Sequence, residues 1–174
     1  GNFGPSDNIL VIYKDGSYEL TNFDLTNHYV SNEVLLVKKF GPKLPVTAVY
    51  FDGVQKHHFI KRFTIETSTL DKKFLFISDA KNSKLLLAST DTRPRLEIVL
   101  PKNSSGDQAH HEYIIDQIAE IRGWKAMGNK LPHDKFKELH WLEPLKEIEP
   151  EVGSTQEDPA EENEPESENE LGTE

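Results

Sequence analysis

Apolar positions in this chain fall in short runs separated by polar turns rather than at helical spacing. Ile9 to Tyr13 is a β-branched run, Lys14-Asp15-Gly16 follows it, and Ser17 to Phe23 comes next. An Asp-Gly pair between two such runs predicts a hairpin, because glycine enters positive φ without a Cβ clash. The same device recurs as Val46 to Phe51, Asp52-Gly53, then Phe59 to Ile65. Further strands are expected at Val34 to Phe40, Phe74 to Ser78, Lys84 to Ser89 and Leu96 to Leu100. Tyr113 to Ile121 fits strand or helix by periodicity, and its neighbours favour strand, with helix as the lesser alternative. Phe136, Leu139 and Leu142 mark a last apolar segment that should pack back on the body.

The two Asp-Gly units look like copies: Leu10-Val-Ile-Tyr-Lys-Asp-Gly16 against Ala48-Val-Tyr-Phe-Asp-Gly53. Leu96-Glu-Ile-Val-Leu-Pro-Lys102, with Gly106 in a longer turn, reads as a third start. Starts roughly 40 to 50 residues apart match the spacing of propeller blades. Two or three blades do not close a ring, so exposed edges call for a larger assembly or a partner. The expected fold class is all-β, a partial β-propeller or β-pinwheel.

Charge divides the 174 residues in two. All 20 Lys and Arg precede Glu149, whereas 11 of the 30 Asp and Glu lie from Glu149 onward. The body is therefore close to neutral, at +1, and the net charge of -10 belongs to the tail. Val152 and Leu171 are the only large apolar residues of that tail, too few to offset chain entropy, so residues 149–174 are expected to be disordered. They serve either as a solubilising tail or as an electrostatic competitor for a basic surface. The domain is expected to span residues 1–148. There is no cysteine, which removes disulfides, thiolate metal sites and cysteine nucleophiles. No apolar run has membrane-spanning length and the N-terminus shows no charged-then-apolar signal pattern, so a soluble, cytoplasmic segment is expected, and opening on Gly1 suggests a piece of a longer protein.

Enzyme chemistry finds little support. Gly123 and Gly128 have a superficial P-loop spacing, but Asn129 stands where the loop needs Lys, and Leu131 follows Lys130. The adjacent pairs His57-His58 and His110-His111 should face opposite ways in strands, and no zinc spacing completes a set with His133 or His140. No Gly-x-Ser-x-Gly elbow is present. Asp15 and Asp52 read as turn residues, and Glu33, Glu66 and Glu97 as solvent-side strand positions. Trp124 and Trp141 read first as packing residues and second as surfaces on which bases stack.

One stretch, Arg122-Gly-Trp-Lys-Ala-Met-Gly-Asn-Lys-Leu131, resembles the Gly-Trp-Lys-Ala-x-Gly-Asn run near the end of the topoisomerase IV A subunit of Bacteroidetes. Phe59-Ile-Lys-Arg-Phe-Thr-Ile65 is similar to that family's Tyr-Ile-Lys-Arg-Phe segment, again after a Tyr-x-Asp-Gly hairpin, and Lys84-Leu-Leu-Leu-Ala-Ser89 sits where the family has a comparable strand. The resemblance covers about Asn8 to Leu131 and implies a C-terminal β-pinwheel domain of a type IIA topoisomerase. It implies a non-catalytic module that positions duplex DNA for ATP-dependent strand passage by the core of the same subunit. ATP and magnesium would belong to the partner B subunit, with no cofactor here. None of Tyr13, Tyr18, Tyr29, Tyr50 or Tyr113 would be the family's nucleophile. Trp124 stands where many pinwheel loops have Arg. The missing Gln-Arg-Arg-Gly box of the gyrase A subunit favours topoisomerase IV over gyrase. The rival is a propeller-like protein-interaction module without DNA binding.

Phosphate neutralisation by Lys and Arg supplies most DNA affinity. The candidates are Lys38, Lys39, Lys61, Arg62, Lys72, Lys73, Lys84, Arg93, Arg95, Arg122, Lys125 and Lys130, expected at strand ends and turns on a propeller rim. Lys61 and Arg62 should point to opposite faces of their strand. With a near-neutral body, DNA binding requires the positive charge to be gathered on one face.

Overall fold

In the computed structural model, which describes residues 4, 6–24 and 28–147, the β-branched runs pair as the two Asp-Gly hairpins. β1 (Asn8–Tyr13) pairs with β2 (Ser17–Asn22), and β4 (Pro45–Asp52) with β5 (His57–Thr64). A third hairpin joins β8 (Arg95–Val99) to β9 (His110–Ile114). Each hairpin is the centre of one antiparallel sheet. In each, a strand outside the hairpin pairs with its first member in the first and third sheets, and likewise in the second. These are β3 (Val34–Lys39) on β1, β7 (Lys84–Ser89) on β4 and β11 (Glu138–Leu142) on β8.

The first two sheets gain a fourth, two-residue strand from beyond the next hairpin. β6 (Phe74–Leu75) pairs with β2, and β10 (Asn129–Lys130) pairs with β5. The orders are β3-β1-β2-β6, β10-β5-β4-β7 and β11-β8-β9, and none of the sheets closes into a barrel. The fold is all-β, a partial β-pinwheel whose neighbouring sheets are tied by donated strands.

Two apolar clusters lie on either side of the second sheet. Val46, Ala48, Tyr50, Phe59 and Phe63 pack with Leu10, Ile12, Tyr18 and Leu20 of the first sheet. Val49 and Ile60, on the alternate positions, pack with Leu96, Ile98 and Ile115 of the third unit. The period-2 alternation of β4 and β5 therefore buries both faces.

The structure corrects the expected strand over Tyr113 to Ile121. The strand ends at Ile114 and one helical turn, α1 (Ile115–Ile118), follows. β8 supplies the reason: its ladder ends at Pro94, whose carbonyl accepts from Ile115 N–H but whose nitrogen has none to return. The last apolar segment is a full strand, β11, packing Leu139 and Trp141, with Phe136 before it, on the second cluster. The expected tail, residues 149–174, lies outside the described residues.

Gly53 is needed for a different reason from the one its sequence suggests. Positive φ in that turn is taken by Lys56, at 59°, while a Cβ on Gly53 would stand 2.1 Å from the Lys81 carbonyl oxygen. Asp52 shapes the turn by accepting from the Val54 and Gln55 N–H groups.

Candidate nucleic-acid interface

Lys72 and Lys73 precede the donated strand β6. The chain returns to the first sheet at Leu70, which bridges to Leu20, and Asp71 N–H donates to the Leu20 carbonyl at 2.7 Å. β6 then alternates: Phe74 lies inward on Tyr18, Leu75 is exposed and Phe76 is buried. The second donated segment brings Trp124 and Lys125. It is held by Arg122 N–H on the Arg62 carbonyl (2.9 Å), Tyr50 O–H on the Met127 carbonyl (2.6 Å) and Leu131 N–H on the His58 carbonyl (2.8 Å).

The two segments meet at their aromatic rings. Trp124 stands edge-on to Phe74 at 6.1 Å and to Tyr18 at 6.5 Å, and Tyr18 stacks on Phe74 at 5.4 Å. Each exposed lysine lies over a ring: Lys73 3.7 Å from the centre of Tyr13, Lys72 5.5 Å from Phe74 and Lys125 5.1 Å from Trp124. A ring quadrupole holds an ammonium in place without cancelling its charge. Among the described residues none of the three has a carboxylate at ion-pair distance. Beside them a groove of about 430 Å³ runs between Leu75, Val54, Trp124 and Met127, with Lys61 in its wall.

The other candidates are not drawn into this cluster by any contact. Lys38 and Lys39 end β3, with Lys39 bound to Asp7 at 2.7 Å. Arg93, Arg95 and Arg122 face Asp116, Glu112 and Glu120 at 2.8, 2.8 and 3.5 Å. Lys84 opens β7 beside Lys14, whose carbonyl accepts from Leu85 N–H, and Lys130 is exposed on β10. Sequence reasoning missed Lys14 and, more importantly, the rings of Tyr13 and Phe74. The signal available was the run Lys72-Lys73-Phe74, in which basic and aromatic positions adjoin.

Lys61 and Arg62 require correction: they are 3% and 5% exposed and lie mid-strand, not on a rim. They do face opposite ways, but the second sheet is covered on both faces. Lys61 Nζ donates to the Phe76 carbonyl (2.6 Å) and the Trp124 carbonyl (2.7 Å), joining the two donated segments. Arg62 donates to the Thr92 carbonyl at 2.6 Å on the other side. Burial pulls the Lys61 ammonium down to about 8. Its folded pKa lies below the unfolded 10.5, so from about pH 8 upward the unfolded chain holds the extra proton and stability rises with pH. Burial raises the phenols of Tyr18, with Glu66 adding to it, and of Tyr50, up to about 12; their contribution falls away once pH passes 10.0. In urea unfolding, the wild type should gain up to about 3 kcal/mol on Lys61→Met between pH 7 and pH 10. A pH-independent difference would refute this.

The histidine expectation also changes. His57 and His58 both reach Asp134: His57 Nδ1 lies 2.9 Å from Oδ2, while His58 Nδ1 lies 3.0 Å and its N–H 2.9 Å from Oδ1. Lys56, at positive φ, turns the chain into β5 at His57, and the two oxygens of the Asp134 carboxylate take one imidazole each. Burial works to raise the Asp134 carboxyl, but the His58 N–H and the two imidazoles outweigh it and hold the group at about 2. Among the described residues no group of three or more His, Cys, Asp or Glu is placed to hold a metal ion. No helix among them is long and apolar enough to cross a membrane.

The model of the Topoisomerase C-terminal domain family of Bacteroidota matches residues 1–143. The chain belongs to this family. No curated protein matches it. As a topoisomerase C-terminal domain it shares the expected all-β blades, and the family match takes in the aromatic and basic cluster as well as both donated strands.

Proposed function

We propose that this topoisomerase C-terminal domain binds duplex DNA and belongs to a topoisomerase IV A subunit. In this reading it presents one duplex to the catalytic core, while ATP and magnesium chemistry resides in the core and its B subunit, in the cytoplasm at the nucleoid. The observation that carries the proposal is a set of three exposed ammonium groups held over rings, Lys72 and Lys125 over Phe74 and Trp124, which meet edge-on, and Lys73 over Tyr13, with no carboxylate at ion-pair distance among the described residues. Phosphates are the ligands such a cluster accepts without the cost of breaking ion pairs.

The test is the affinity of a labelled duplex as a function of salt. Three phosphate contacts give a slope of log K on log salt of about -2.7, steeper if Lys84 or Lys130 joins. A flat slope, or no binding at low salt, would leave the protein-interaction reading in its place.

A further inference from the structure

The first two sheets are completed in the same way on the second strand of their hairpin. On β2, Asp71 N–H donates to the Leu20 carbonyl and Phe76 N–H to the Gly16 carbonyl; on β5, Arg122 N–H donates to the Arg62 carbonyl and Leu131 N–H to the His58 carbonyl. The third sheet has the order β11-β8-β9, so β9 receives no such strand among the described residues. The register shows which of its groups face outward. Leu100 N–H donates to the Ala109 carbonyl and Ile115 N–H to the Pro94 carbonyl, which marks these as bonded pairs of the β8–β9 ladder. Bonded and non-bonded pairs alternate, so His111 and Tyr113 bond to β8 while the N–H and C=O of His110 and Glu112 point away from it. None of those four groups has a partner among the described residues. Bulges and prolines blunt open edges, yet β9 has no proline and pairs with β8 without a shift from His110 to Ile114.

The side chains beside this edge define what fits it. On the inner face His111 stacks on the His133 ring at 4.5 Å and Tyr113 lies 6.2 Å from the same ring, all three half-buried, which offers an apolar side chain an aromatic seat. On the outer face Glu97 and Glu112 stand opposite each other. Arg95 reaches Glu112 at 2.8 Å, whereas Glu97 has the His110 imidazole at 3.0 Å, a partner that is charged only when protonated. The edge therefore carries an excess of negative charge at neutral pH. The donated segment Lys72-Lys73-Phe74-Leu75-Phe76 shows the matching pattern, with Phe74 and Phe76 inward and the lysines exposed. We infer that the β9 edge docks an extended segment of a partner protein, apolar at alternate positions and basic at its exposed ones, which adds to the third sheet as a fourth strand. Main-chain bonds to His110 and Glu112 supply affinity, and the aromatic seat and the two carboxylates supply selectivity. The inference is independent of DNA binding.

The test uses the full chain, with a synthetic peptide of residues 69–78 as the probe. In the free protein, amides of His110 and Glu112 should exchange about tenfold or more faster than those of His111 and Tyr113, which bond to β8. Slow exchange at His110 and Glu112 without peptide would mean that this chain or a second copy already covers the edge, and would overturn the inference. Added peptide should slow exchange at these two amides and leave β3 unchanged; no slowing would equally overturn it. Glu112→Pro removes an outward N–H and no bond to β8, so it should weaken peptide binding about tenfold or more, with Glu112→Ala within about threefold of wild type. Equal binding by the two variants would rule out strand addition. A peptide carrying Lys72→Glu with Lys73→Glu should bind about tenfold more weakly than the original. Equal binding of both peptides would overturn the basic partner. The exchange measurements on the wild type need no variant to fold, and no readout involves DNA, so failure here and failure of DNA binding are separate results.

Discussion

Replacing Lys72, Lys73 and Lys125 together by alanine should lower duplex affinity by two to three decades at about 0.1 M salt and flatten the salt slope by about 2.7. The size follows from counterion release: three lost phosphate contacts remove about 0.9 each from the slope, and at about 0.1 M that is nearly three factors of ten. Stability should move far less, because each side chain is exposed and gives up only a ring contact worth about 0.5–1 kcal/mol. Lys43→Ala, Lys102→Ala and Lys135→Ala form the matched control, since these residues are exposed lysines that lie over no ring among the described residues. Anisotropy titrations of both triple variants decide the matter. Equal losses would mean that net charge, rather than this cluster, governs binding.

Gly128→Val should destabilise the domain by about 4 kcal/mol, with Gly123→Ala within about 0.5 kcal/mol of wild type. The two glycines look alike in sequence and differ completely in the fold. Gly128 has φ 90°, and a Cβ there would stand 2.4 Å from the Ile60 carbonyl oxygen and 2.7 Å from Lys61 Cβ. The central strand cannot yield that space, so β10 must lift away. With it go the pairing to Ile60 and Phe59, the burial of Leu131 and the Lys61 bond to the Trp124 carbonyl. A Cβ on Gly123 meets nothing within 4 Å. Urea midpoints measure both variants, and a Gly128→Val protein as stable as Gly123→Ala would refute the donated-strand geometry. If β10 lifts, Trp124 and Lys125 lose their position, so the same variant should also bind DNA weakly.

The sequence made the two Asp-Gly hairpins legible because each is local, a short turn joining runs adjacent in the chain; of the third it showed the first strand and the Gly106 turn, but placed the returning strand at Tyr113 to Ile121 rather than His110–Ile114. The repeat and the Arg122 to Leu131 stretch pointed to the family without any structure. The donated strands were harder to see. β10 is two residues long and carries no periodicity of its own, so only its partner β5 defines it. The candidate interface was legible as a set of lysines but not as an arrangement, since Phe74, under Lys72, meets Trp124, under Lys125, only where two donated segments converge.

What the sequence settled by itself was the class of fold, the unit that repeats, and the confinement of net charge to the tail. Turn chemistry, strand alternation and composition are properties of short segments. Only the tertiary structure decided which basic residues face outward. Lys61 and Arg62 alternate as strand residues must, yet both are buried, because the second sheet is covered by the first on one side and the third on the other. Alternation assigns a side chain to a face; whether that face meets water depends on what packs against it.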